Sequence, residues 1–151
     1  MTNEIHVDYT SSNTLYAVVR NNVGEVWYAG GQVFEAWGTG SHAADDYDIS
    51  LTDKSGNRYV CSFDSNIPAG RYSIQIFSQA GVNPADSDNL VGGGEIVWSG
   101  VGEVTSDKLL ANKAVQNKST GEIKYYDNDG QTILLTHTPT DAAATITRTP
   151  N

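Results

Sequence analysis

The sequence predicts an all-β fold: an immunoglobulin-like antiparallel β-sandwich followed by a small carboxy-terminal β-meander. Apolar and polar residues alternate with a period of two over short runs, as in strands whose successive side chains point to opposite sheet faces. Turn-forming residues separate these runs at roughly ten-residue spacing, which is typical of an antiparallel sandwich. Strong helix formers are sparse, whereas threonine, serine, glycine and asparagine are abundant.

The first part of the chain predicts an amino-terminal arm and then the sandwich. Residues 1–12 are polar and are interpreted as an arm, and residues 13–104 are assigned to the sandwich domain. Alternating runs bounded by glycine, asparagine or aspartate predict four early strands. They cover residues 13–20, 25–28, 33–37 and 46–51, and the last carries Asp46 and Asp48 on its polar face.

The stretch Arg58 to Trp98 predicts a hairpin and a returning strand. Apolar residues alternate with polar ones in residues 58–64 and again in residues 71–76, and residues 66–70 between these runs have the composition of a turn. Gly92 to Gly94 predict a bulge or a close backbone approach within the last strand. The residues expected in the core are Tyr59, Cys61, Phe63, Tyr72, Ile74, Ile76, Trp27 and Trp98.

Residues 105–151 predict the meander. A short helix is expected to start at Ser106 as its cap. A hairpin turn from Asp127 to Gly130 follows, because Asn, Asp and Gly tolerate the left-handed backbone of such turns. This hairpin would face Ile123 and Tyr125 toward Ile133 and Leu135, and Ala144 to Thr149 would form a last strand. A segment of about 45 residues is too small to bury a good core alone, so we expect it to pack on the sandwich or on a neighbouring subunit.

Composition narrows the classes of function. The formal net charge is −9, and an acidic surface repels phosphate, so neither nucleic-acid binding nor docking to an anionic membrane is expected. The single cysteine excludes an internal disulfide, and Cys61 is expected to be a buried structural thiol. The residues at the amino terminus show no secretory signal, and no apolar run is long enough for a membrane helix, so synthesis in the cytoplasm is expected.

The motifs predict no catalytic, metal or cofactor site. Asp45, Asp46 and Asp48 are interpreted as a solvated edge, and Asp127 to Gly130 lacks the glutamate that completes a calcium loop. The histidines lack metal-site spacing, and no nucleophile elbow is present. The aromatic residues leave one binding alternative open, because exposed tryptophans can stack on sugar rings; Trp37 and Tyr28 are the candidate contacts for a carbohydrate or a partner.

Two groups of residues resemble modules of tailed-bacteriophage virion proteins. The first comprises Thr14 to Ala17, Val26-Trp27, Asp46 to Thr52, Ile67 to Gly70 with Tyr72, Gln79 to Gly81 and Pro84 to Asp88. The second comprises Ala111 to Val115, Thr120-Gly121, Tyr126 to Thr132 and Leu134 to Thr136, and it resembles a module that recurs at the carboxy terminus of phage structural proteins. The resemblance implies assembly with other virion proteins in many copies, and it implies no catalytic residues or cofactors.

The expected function is therefore that of a non-enzymatic phage virion structural protein. A decoration or cement protein on the capsid surface, assembled as a symmetric homo-oligomer, is the first expectation. A tail, baseplate or fibre-adaptor component is the second. A carbohydrate- or host-surface-binding module is the third.

Overall fold

The computed structural model describes residues 3–142 and 145–150, and it describes the side chains of residues 3–140. Strand residues make up 43% of the structure and helical residues 9%, and the sheets are antiparallel, which confirms the all-β sandwich class. The described chain divides into two compact units. The first comprises residues 1–67 and 71–96, and the second comprises residues 68–70 and 97–151. The boundary thus falls near residue 97, whereas the sequence predicted it at 104/105.

The first unit contains two antiparallel sheets. The large sheet has the order β4-β3-β2-β8-β9, with β5 also paired to β2, and the small sheet has the order β1-β7-β6. The strands are β1 (Ile5–Asp8), β2 (Leu15–Arg20), β3 (Val26–Tyr28), β4 (Val33–Glu35), β5 (Ile49–Ser50), β6 (Thr52–Asp53), β7 (Arg58–Cys61), β8 (Gly70–Ser78) and β9 (Asn89–Trp98).

The interior of the sandwich is filled by the inward side chains of both sheets. In the large sheet Ala17 lies opposite Ile76 and Val19 lies opposite Ile74, and all four are buried. From the small sheet Val7 reaches Gly92 of β9, whose missing side chain leaves room for it. The predicted core residues Tyr59, Cys61, Phe63, Tyr72 and Trp27 are confirmed as buried in this unit, and Trp98, which belongs to the second unit, is confirmed as buried as well.

Residues 1–12 differ from the predicted arm, because Ile5–Asp8 form strand β1. This strand pairs with β7 in a register that sets Ile5 opposite Cys61, and Ile5 is only 2% exposed. Ile5 and Val7 among polar neighbours give only a weak alternation signal, so the sequence does not predict a strand here. The strand forms because pairing with β7 satisfies the backbone hydrogen bonds of the segment.

The central hairpin predicted over residues 58–76 is wrong. Strand β7 pairs with β1 and β6 in the small sheet, whereas β8 pairs with β2 and β9 in the large sheet. The turn from Asn66 to Gly70 therefore belongs to a connection that crosses between the sheets. Both connections use the same turn chemistry, so local sequence does not distinguish them.

The strand predicted over residues 46–51 is also different in the structure. Helical turn α1 (Ala44–Tyr47) replaces its first half, and the backbone N–H of Ala43 donates to the Asp46 carboxylate at 2.9 Å. The following residues then change sheets, because β5 pairs with β2 and β6 pairs with β7. A short 3-10 helix (Thr39–Ser41) precedes this segment.

The second unit contains one four-stranded antiparallel sheet in the order β10-β11-β12-β13 and a short helix. The helix predicted at Ser106 is present, but Thr105 occupies the cap position. Tyr125 faces Leu135 as predicted, whereas Ile123 lies opposite His137 instead of Ile133. Ala144, predicted to begin the last strand, lies outside the described residues. The elements are α2 (Ser106–Ala111), β10 (Ala114–Gln116), β11 (Ile123–Tyr126), β12 (Ile133–Ala142) and β13 (Thr145–Pro150).

Candidate functional site

An open cleft of about 210 Å³ lies in the first unit. Its walls combine three aromatic side chains, Tyr16, Trp37 and Phe77, with three polar ones, Arg20, Gln75 and Asp86. The mixture of apolar walls and a few convergent polar groups is typical of a small-molecule site.

Two adjacent strands of the large sheet form the floor of this cleft. Tyr16 and Arg20 project from β2, and Gln75 and Phe77 project from β8, with Tyr16 directly opposite Phe77. Because successive side chains along a strand point to opposite faces of the sheet, these four residues share one face, and buried Ile74 lies on the other face. Tyr16 and Phe77 stack with their ring centroids 5.4 Å apart.

Trp37 is held at the cleft by three neighbours. The Arg20 guanidinium lies 5.0 Å from the centre of its ring, and the Tyr47 ring centroid lies 4.9 Å away. The indole Nε1–H of Trp37 donates to Oδ2 of Asp86 at 3.3 Å. The predicted contact residue Trp37 is therefore a half-buried wall of the cleft, fixed by a cation and a carboxylate.

Arg20 is fixed as well. Its Nε–H donates to the Gln75 side-chain oxygen at 2.7 Å, and its Nη1–H donates to the Gly24 carbonyl at 2.9 Å. A guanidinium carries five N–H donors, so these two bonds leave further donors for a ligand.

Tyr28, the other predicted contact, does not line the cleft. Its ring packs on His42, with centroids 4.0 Å apart, and meets Tyr47 edge-on at 6.3 Å. Tyr28 and Trp37 thus share Tyr47 as a neighbour, but Tyr28 supports the segment that carries Trp37 instead of facing the open space.

The carboxylate of Glu35 links His42 and Tyr47 within the segment that carries Trp37. Oε1 of Glu35 lies 2.6 Å from Nδ1 of His42 and accepts the Tyr47 hydroxyl at 2.9 Å. The hydrogen bond with His42 is the main cause that lowers the pKa of Glu35, and that with Tyr47 adds to it. Burial, followed by the hydrogen bond to Glu35, raises the pKa of Tyr47.

The loop of residues 79–88 forms the opposite rim. Asp88, only 9% exposed, accepts the backbone N–H groups of Ala80 at 3.0 Å and Ala85 at 2.8 Å, and the Tyr16 hydroxyl at 3.2 Å. The bonds from Ala80 and Ala85 are the main cause that lowers the pKa of Asp88. Burial raises the pKa of Tyr16, and the bond to Asp88 raises it further. This closure places Asp86 beside Trp37.

Outside the cleft, the described residues provide neither a reactive cysteine nor a metal site nor a membrane-spanning helix. Burial raises the pKa of the Cys61 thiol to about 12, which leaves it protonated and unreactive at neutral pH. Among the side chains that the structure describes, those of residues 3–140, no three of histidine, cysteine, aspartate or glutamate come together as metal ligands. In the same part of the chain, none of the helices has the length and apolar character needed to cross a bilayer.

Sequence patterns did not point to Arg20, Gln75 and Asp86. Arg20 lies 55 residues before Gln75 in the chain, and the pairing of β2 with β8 brings the two together, whereas Asp86 follows on the loop after β8. The one local signal is Arg20, a charged residue that ends an otherwise apolar strand.

Comparison with protein-family models, with curated proteins and with solved structures found no match.

Proposed function

We propose that this chain is a non-enzymatic structural protein of a bacteriophage particle, placed on the capsid surface as a decoration or cement protein and assembled as a symmetric oligomer. The single observation that carries the assembly role is the exposure of apolar side chains in the second unit. The residue patterns that resemble phage virion modules support the choice of particle.

The second unit buries little of its own apolar surface. Among its described side chains the buried large apolar ones are Trp98 and Leu134. Five others remain 40–87% exposed, namely Val97, Val101, Leu110, Val115 and Ile133. Exposed apolar groups in such number favour association with another protein surface, where their burial would add stability.

The acidic surface is compatible with this role. A net charge of −9 keeps particles dispersed and repels packaged or free nucleic acid. Binding to a capsid would then depend on apolar contacts and local complementarity, since long-range attraction to anionic partners is absent.

The placement is tested by separating the heads and tails of the particle that carries this protein and counting copies by quantitative mass spectrometry. Many copies on heads are expected. Copies confined to tails would overturn capsid placement in favour of the tail or fibre-adaptor alternative, and absence from both would overturn the virion role.

The assembly role is tested on the purified chain by sedimentation velocity. Leu110→Glu should shift the oligomer to a smaller species, because it puts a charge where an 87% exposed leucine would be buried. Val82→Glu is the matched control, since Val82 is 96% exposed and belongs to the first unit. A monomeric parent chain, or equal dissociation by both variants, would contradict the proposal.

A further inference from the structure

We propose that the cleft lined by Trp37 and Asp86 binds one neutral, hydroxyl-bearing ring, the exposed saccharide unit of a glycan. At about 210 Å³ the cleft is smaller than the roughly 300–1,000 Å³ of drug-sized pockets, so it fits a single ring instead of an extended ligand. This site is independent of the assembly role, since all its residues belong to the first unit.

The charges of the cleft select a neutral ligand. Arg20 supplies a fixed cation that disfavours a second cation. Asp86 and buried Asp88, together with the net charge of −9, disfavour an anion. A hydroxyl group can both accept from a guanidinium and donate to a carboxylate, so a polyol ring satisfies both groups without adding charge.

The walls match the rest of such a ring. A saccharide has an apolar C–H face as well as its hydroxyl edge, and the aromatic side chains Phe77 and Trp37 offer apolar surface beside the polar groups. A ligand without hydroxyls would leave Asp86 and the remaining Arg20 donors facing an apolar surface, which costs free energy.

The polar groups are in place before a ligand arrives. Arg20 is bonded to Gln75 and Gly24, and Asp86 is carried by the loop that Asp88 closes. Side chains that are already ordered lose little conformational entropy on binding, so weak individual contacts can still produce specific binding.

The first experiment follows tryptophan indole and arginine Nε–H resonances of the full chain by NMR during titration with glucose, galactose, mannose and N-acetylglucosamine. At least one of these sugars should shift the Trp37 indole and Arg20 resonances in a saturable manner. The Trp27 indole is an internal reference, because it makes the same kind of bond, to Asp64 at 2.8 Å, but is 2% exposed. No shift with any of these sugars, or equal shifts of both indoles, would overturn the proposal.

The second experiment compares Asp86→Asn with Asp8→Asn. Loss of a charge-assisted hydrogen bond should weaken binding of the responding sugar by about tenfold in Asp86→Asn. Asp8→Asn makes the same chemical change at a 76% exposed carboxylate on β1, and its affinity should equal that of the parent chain. Equal sugar affinities of the parent chain, Asp86→Asn and Asp8→Asn would overturn the assignment of a sugar site to this cleft. So would a response to acetate or guanidinium that matches the response to sugars. Thermal melts establish that the variants are folded.

Discussion

Two aspartates of one loop show how surroundings decide what a side chain does. Asp86 is exposed and accepts the Trp37 indole, so one of its oxygens remains open to the cleft. Asp88, two residues later, is buried and accepts two backbone N–H groups and a tyrosine hydroxyl. We therefore assign recognition to Asp86 and loop closure to Asp88.

Asp88→Asn should lower the melting temperature, and Asp86→Asn should leave it nearly unchanged. The amide cannot accept at both positions that face N–H donors, so a buried donor loses its partner. The folded-state pKa of Asp88 is lowered relative to its unfolded value of about 3.9. Its stabilisation is therefore complete above that value and lost as pH falls through the lower folded pKa.

Melts from neutral to acidic pH measure this effect. The parent chain and Asp86→Asn should lose stability together on the acid side, and Asp88→Asn should show a shallower loss. Parallel acid curves for all three proteins would contradict the assignment of loop closure to Asp88.

At the scale of elements, the three glycines of β9 have different roles. A side chain on Gly93 would place its Cβ 2.8 Å from the Ile74 carbonyl oxygen on the neighbouring strand, closer than real Cβ atoms come. A Cβ on Gly94 would meet nothing within 4 Å. The close backbone approach that the sequence predicted within residues 92–94 is confirmed, at Gly93.

Gly93→Ala should destabilise the chain by about 1–3 kcal/mol, because the backbone of β8 or β9 must move to relieve the overlap. Gly94→Ala should be neutral or slightly stabilising, since the added methyl meets no atom and reduces the freedom of the unfolded chain. Urea unfolding of the two variants measures the difference. Equal midpoints would show that the two strands do not approach each other at Gly93.

Sequence patterns predicted strand positions better than strand partners. Alternation placed Tyr59, Cys61 and Ile74 on inward faces because that signal is local to each strand. Pairing depends on contacts between distant residues, and the turn before Gly70 can close a hairpin or cross between sheets. For the same reason the sequence predicts an arm where β1 lies, since the residues that pair with β1 are fifty or more positions away in the chain.

At the scale of the whole molecule, charge is the dominant feature that composition reveals. Eighteen acidic residues oppose nine basic ones, and the ion pair Arg58–Asp8 is largely exposed and contributes little. Repulsion among the remaining carboxylates is stronger in the compact state than in the unfolded chain.

Sodium chloride should therefore raise the melting temperature at neutral pH. Screening over a length of about 10 Å at 0.1 M weakens the repulsion that the folded state experiences. Chloride is the appropriate anion, because sulfate would also strengthen apolar burial. A melting temperature that stays constant or falls with added chloride would show that local ion pairs outweigh the net charge.

The cleft illustrates the limit of prediction at this scale. The sequence does point to Trp37, because an exposed tryptophan can stack on a sugar ring. It does not point to Arg20 and Asp86, because their partnership with Trp37 exists only after β2, β8 and the loop of residues 79–88 have come together.

The closure of that loop has a practical consequence for engineering. Asp88 ties its base through Ala80 and Ala85, and Gln79 donates to the carbonyl oxygens of Gly81 and Val82. The Asp88 bonds close the base of the loop, and the Gln79 bonds reach its tip only through backbone carbonyl oxygens, beside the Val82 side chain, which is 96% exposed. A foreign peptide spliced in after Val82 would be displayed to solvent on a scaffold that closes without it, which makes this tip the natural grafting point for an epitope or an affinity label.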